Sequence, residues 1–138
     1  MKANIHASCV AYKNQGILFL GQSGSGKSDV CLRLIMEHGA KLVADDRVNL
    51  SVADGKIKAV APTILKDKLE VRGLGIINLP STSAKVCLAV QLVEDASQIE
   101  RMPEDVFFEF GGVSVPQIIL CVREASTPAK VLAALTML

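Results

Sequence analysis

Residues 21–28 read Gly21-Gln22-Ser23-Gly24-Ser25-Gly26-Lys27-Ser28, the G-x-x-x-x-G-K-S arrangement of a phosphate-binding loop. Glycines in such a stretch let the backbone curl with its N–H groups facing inward, and a helix starting there adds its positive end. On this reading all eight residues cradle the phosphates of ATP, Lys27 offsets β- and γ-phosphate charge, and the Ser28 hydroxyl is a ligand for Mg²⁺. A glycine-rich turn can carry the same letters by chance. Here the apolar run Ile17-Leu18-Phe19-Leu20 stands directly before the loop and an amphipathic stretch directly after it. Those are the strand and helix the loop requires.

Two acids, Asp45 and Asp46, end the next apolar run, Leu42-Val43-Ala44. One carboxylate can reach Mg²⁺, directly or through water, and the other can accept a proton from an attacking hydroxyl. Successive side chains of a strand face opposite ways, so the two need not share a role. A third stretch, Leu69-Glu70-Val71-Arg72-Gly73-Leu74-Gly75-Ile76-Ile77, holds an acid, a base and two glycines. Glu70 can complete the Mg²⁺ shell while the glycines let the segment move over bound substrate. Taken alone, a loop with a surface Glu–Arg pair explains it as well. His6 and Arg101 are individually uninformative.

The elements that must position these groups follow from periodicity. Ile5–Ala11 reads as a strand with a turn at Asn14-Gln15-Gly16, and Ile17–Leu20 as a strand buried on both faces. Lys27–His38 is expected to be a helix with Val30, Cys31, Leu34 and Ile35 apolar and Gly39 as its stop. With Leu42–Ala44 this makes a strand–loop–helix–strand unit. Val48–Ala53 and Lys56–Val60 flank Asp54-Gly55, a hairpin signal. Lys85–Val93, Phe107–Phe110 and Ile118–Val122 are further strands. A closing helix should start with Thr127 as N-cap and Pro128 at its first position, run to the C-terminus, and face the core with Val131, Leu132, Leu135 and Leu138. The expected fold class is α/β, a mixed β-sheet around a P-loop, with residues 1–138 as one domain.

The 138 residues carry a net charge of +1, are half hydrophobic and contain no Trp, so Val, Ile, Leu and Ala must build the core. No Lys/Arg run suited to a phosphate backbone is visible, so no nucleic-acid partner is expected. Runs such as Ile118–Val122 are too short to span a bilayer, and the N-terminus lacks an apolar signal region. Cys9, Cys31, Cys87 and Cys121 form no C-x-x-C pair and read as reduced core residues of a cytoplasmic protein.

Taken together, the P-loop, Leu42-Val43-Ala44-Asp45-Asp46-Arg47 and Leu69 through Asn78 resemble the catalytic domain of the HPr kinase/phosphorylase family. The similarity runs from His6 to about Lys130. It implies a kinase that uses ATP and Mg²⁺ to phosphorylate a serine of the phosphocarrier protein HPr, with phosphorolysis of the product by inorganic phosphate as a second activity. The resemblance makes His6 an active-site histidine, Lys27 the phosphate-binding lysine, Ser28 and Glu70 the Mg²⁺ ligands, and Arg101 an active-site arginine. It assigns the proton acceptor to the Asp45–Asp46 pair, with Asp46 favoured. A homo-oligomer, a hexamer in the family, is also implied, in a short form without the N-terminal domain of longer members. Against the family pattern, the segment between Asn78 and Lys85 is abbreviated, and only Arg123 stands where a basic stretch linked to dephosphorylation is usual. Two rival readings are a P-loop small-molecule kinase and a non-catalytic adenine-nucleotide-sensing module. The first lacks an Arg-rich lid in this sequence, and the second leaves the acid pair without a purpose.

Overall fold

The computed structural model describes residues 1–138. The stretch Ile5–Ala11, expected as one strand, is divided between two: β1 (Lys2–His6) and β2 (Ser8–Tyr12). The chain turns a corner at Ala7 because the two halves serve different neighbours. β1 pairs with β5 (Arg47–Ala53), whereas β2 lies between β3 (Gln15–Leu20) and β4 (Lys41–Ala44). The β2–β3 turn also falls earlier than expected, at Lys13 and Asn14, whose φ values are 49° and 66°. Two left-handed residues match the twist of a tight hairpin, so Gln15 and Gly16 already belong to β3.

The helix α1 (Lys27–His38) has the expected bounds, and Gly39 at φ 76° ends it. The β3–α1–β4 unit is a parallel crossover with one difference: β2 is interposed, antiparallel to both strands. The hairpin of β5 with β6 (Lys56–Val60) turns at Asp54-Gly55 as its sequence requires. β9 (Ala84–Val93) is the longest strand and is shared: its start pairs with β6, and its remainder runs parallel to β3 and to β11 (Val113–Cys121). β11 begins well before Ile118 because it forms a hairpin with β10 (Val106–Phe110); its pairing with β9 starts at Gln117, one residue after Pro116. The mixed sheet thus runs β1-β5-β6-β9-β3-β2-β4, with β11 and β10 branching from β9.

Strand alternation divides the core. Val10, Ile17, Phe19, Leu88 and Val90 face α1 and the closing helix α2 (Thr127–Leu135), meeting Val30, Cys31, Leu34 and Val131. Cys9, Leu18 and Ala89 face the other way, against Val43, Val48, Leu50 and Ile57. Central strands buried on both faces explain the unbroken apolar runs. The α2 expectation needs correction at both ends. Ser126 is the N-cap, while the Thr127 hydroxyl turns inward and donates to the Cys121 carbonyl; the helix stops at Leu135, leaving Leu138 exposed. No helix is long and apolar enough to cross a membrane.

The fold also makes a basic cluster that the linear sequence conceals. Lys13, Lys41, Lys56, Lys58 and Lys85, with Asp54 as the one acid, line a hollow of about 780 Å³. It lies where β4 and β9 begin, away from the P-loop at the end of β3.

Candidate active site

β3 delivers the chain into the P-loop, where the Ser25 N–H donates to the Gln22 carbonyl at 3.0 Å. Gly26 precedes α1 at φ 94°, and a Cβ there would run into Val122, so both backbone and space demand glycine. The loop therefore ends at the N-terminus of a twelve-residue helix. Ser25 is buried and its hydroxyl has no partner. Buried polar groups are nearly always satisfied, so this one fits a loop whose partner is a phosphate oxygen. Lys27 folds back across the loop, its ammonium donating to the Gly21 and Gln22 carbonyls at 2.9 and 3.0 Å. Burial pulls its pKa down, while the Asp46 and then the Asp45 carboxylates push it back up.

The two acids have different surroundings. Asp45 is buried, and its Oδ1 accepts the Ser8 hydroxyl at 2.8 Å and the Ser28 hydroxyl at 2.6 Å. Its Oδ2 accepts the Glu70 N–H at 3.1 Å. Asp46 sits at φ 69° just outside β4, and its side chain is 63 % exposed. Its one side-chain partner is His6, whose Nε2 lies 3.1 Å from Oδ1. One acid is an internal tie; the other is accessible.

Glu70 is on a strand, not in a loop. β7 (Lys68–Val71) and β8 (Gly75–Asn78) form a hairpin, with Leu69 and Val71 buried and Glu70 exposed between them. Alternation on β7 thus aims Glu70 outward. A cleft of about 890 Å³ brings together His6, Lys27, Ser28, Asp46 and Glu70 beside Arg72 and Arg123. Arg101 does not line it; this residue lies on an exposed bend before β10. Arg33 also borders the cleft, donating to the Val122 carbonyl at 3.1 Å and paired with Asp29 at 3.3 Å. No three His, Cys, Asp or Glu side chains gather into a metal cage. A hydroxyl at Ser28 and a carboxylate at Glu70 are the sparse oxygen donors suited to Mg²⁺, which keeps waters and shares phosphates.

Ser8 is not among the residues the sequence singles out, yet it enters the site. A serine in the apolar run Ala7–Ala11 was the available signal, because a buried hydroxyl needs a partner. Arg72 and Arg123 were noticed in their stretches but given no place in the site.

A curled mixed sheet, two helices and a P-loop beside an acid pair define a P-loop protein of mixed α/β fold. The chain belongs to the family described as HPr Serine kinase C-terminal domain, whose model matches residues 1–137. A relative from Thermoanaerobacter sp. (strain X514), named HPr kinase/phosphorylase, is 34% identical over 131 residues, covering 86% of this chain and 43% of its own length. Another of that name, from Mycoplasmopsis pulmonis, is 30% identical over 145 residues, covering 96% of this chain and 47% of its own. The chain thus spans less than half the length of these relatives. Its fold is similar to that of the Hpr(Ser) kinase/phosphatase from Coxiella burnetii, with a TM-score of 0.83, 22% identity, and coverage of 98% of this chain and 95% of that one.

Proposed function

We propose that this chain is an ATP- and Mg²⁺-dependent kinase that phosphorylates a serine of the phosphocarrier protein HPr. The observation that carries the reading is the exposed Asp46 carboxylate, paired with His6 and opening on the same cleft as Lys27 and Ser28. The family and the names of its relatives support the choice of HPr as substrate.

Asp46 takes the proton of the serine hydroxyl as its oxygen bonds to the γ-phosphorus. The bond from that phosphorus to the bridging oxygen breaks, and its electron pair leaves with ADP. With its proton on Nε2, His6 donates to Asp46 Oδ1 and holds the carboxylate in place, leaving Oδ2 to accept. Lys27 gives up its contacts with the loop carbonyls for phosphate oxygens, and the buried Ser25 hydroxyl gains a partner. Arg72 and Arg123 add positive charge at the cleft wall, where charge builds on the transferring group. Mg²⁺ held by Ser28 and Glu70 would neutralise charge on the β- and γ-phosphates. In reverse, protonated Asp46 returns its proton to the serine oxygen as inorganic phosphate attacks phosphoserine, giving pyrophosphate.

Intact-mass spectrometry of HPr incubated with the chain, ATP and Mg²⁺ tests the proposal. One added phosphoryl group, mapped to serine, is expected, and excess inorganic phosphate should then remove it. Unmodified HPr beside turnover of a small metabolite would replace the protein-kinase reading with a metabolite kinase. Stable phospho-HPr in excess phosphate would discard the reverse activity alone.

A further inference from the structure

We propose that Ser8 is a positioning residue for the metal–nucleotide complex, fixing the Asp45 carboxylate and through it the Ser28 hydroxyl. The inference rests on the assignment of Ser28 as a Mg²⁺ ligand. Ser8 is fully buried among Ala7, Cys9 and Val10, where an unpaired hydroxyl would be costly. It is paired twice. Its O–H donates to Asp45 Oδ1 at 2.8 Å, and its oxygen accepts the Asp46 N–H at 3.4 Å.

The polarity of this network is set by Asp45. An ionised carboxylate accepts only, so the protons of both Ser8 and Ser28 are directed at Oδ1. Ser28 consequently keeps its lone pairs for a cation. No Lys, Arg or His forms an ion pair with Asp45 within 4.0 Å; hydroxyl and amide donors hold it. Of the two donors on Oδ1, Ser28 must serve the metal as well. Ser8 is the donor with no second duty there, and it alone locks that oxygen from the β-sheet side.

Ser8 also joins two parts of the site. The Ala7 N–H donates to the Asp46 carbonyl at 3.2 Å, so the corner between β1 and β2 grips both acids through backbone and side chain. His6, at the β1 end of that corner, meets Asp46, while Ser8, at its β2 end, holds Asp45, which accepts from Ser28 and the Glu70 N–H. Removing the hydroxyl frees the carboxylate to turn, which disturbs Ser28 and the backbone of Glu70 together.

The test is calorimetric titration of ATP, with Mg²⁺ and with EDTA, on the wild-type chain and on Ser8→Ala, Ser8→Thr and Ser8→Cys. Loss of a direct partner of a metal ligand typically lowers metal affinity about 10- to 100-fold, and Ser8 stands one contact further out, behind Asp45. Ser8→Ala should therefore lose about 10-fold of the Mg²⁺-dependent tightening, the low end of that range, with ATP affinity in EDTA unchanged. Ser8→Thr retains the donor and should retain the tightening. Ser8→Cys keeps the shape with only a weak donor, and carries the comparison if Ser8→Ala does not fold. Equal losses with and without Mg²⁺ would make Ser8 merely structural and overturn the proposal. So would full tightening in Ser8→Ala or Ser8→Cys while the wild type shows it. A wild type indifferent to Mg²⁺ would remove the metal assignment itself, and this inference with it.

Discussion

His6 Nε2 and Asp46 Oδ1 meet at 3.1 Å across 40 residues of sequence, at the corner where β1 ends and just past the end of β4. One acid of an adjacent pair is thereby set apart from its neighbour. Asp45 spends its carboxylate oxygens on Ser8, Ser28 and the Glu70 backbone, whereas the Asp46 carboxylate has one partner and open access.

Asp46→Asn and Asp45→Asn should therefore fail differently. Asp46→Asn keeps the shape but loses the proton acceptor, so kcat should fall by about 10²–10⁴ with thermal stability and Mg²⁺–ATP binding retained. Asp45→Asn leaves buried donors poorly matched, at a cost of about 1–3 kcal/mol, and should lower both stability and Mg²⁺–ATP affinity. Thermal melts, calorimetry and steady-state kinetics separate the two. If Asp45→Asn is the stable, binding-competent, inactive variant and Asp46→Asn turns over normally, the roles are reversed.

Lys27 holds two loop carbonyls as well as facing the nucleotide site. Lys27→Ala should weaken ATP binding about 10- to 100-fold, matching the roughly 1.5–3 kcal/mol of a charged hydrogen bond. Calorimetry reads this directly. A folded Lys27→Ala with unchanged ATP affinity would sink the phosphate assignment of the loop.

The Glu70 hairpin is tied at its base by a carboxylate. Asp67 accepts the Ser81 N–H at 2.8 Å and the Ser81 hydroxyl at 2.5 Å, and its backbone carbonyl accepts the Leu79 N–H at 3.0 Å. The hydrogen bonds from Ser81 hold the Asp67 carboxyl below its ordinary pKa. A carboxyl lowered on folding binds fewer protons in the native state. Its contribution is fully present above the unfolded value of about 3.9 and is lost as pH falls through the lower folded value. Wild type should thus lose stability in acid more steeply than Asp67→Asn, which tolerates the φ of 62° but does not titrate. Parallel acid melting curves for the two would show that this tie does not contribute.

Local chemistry was legible in the sequence. The P-loop, the bounds of α1 and the Asp54-Gly55 hairpin follow from residues a few positions apart, where glycine freedom, helical spacing and turn preference act directly. The sheet of β7 and β8 was not read, because Arg72-Gly73-Leu74 looks like any loop until Leu69 and Val71 have a core to enter. The break at Ala7 was hidden for a related reason: an apolar run does not say which neighbours each half will pair with.

A phosphate loop, two adjacent acids and a Glu–Arg stretch can each be read directly from the chain, since each is set by nearby residues. Tertiary structure decided which of them meet and in what state. It buried Asp45 against Ser8 and Ser28, left Asp46 exposed beside His6, and put Arg72 and Arg123, not Arg101, along the cleft. It also gathered five lysines, spread from Lys13 to Lys85, into one hollow. Burial, hydrogen-bond partners and electrostatic neighbours are contributed by strands distant in sequence, and only the pairing of those strands settles them.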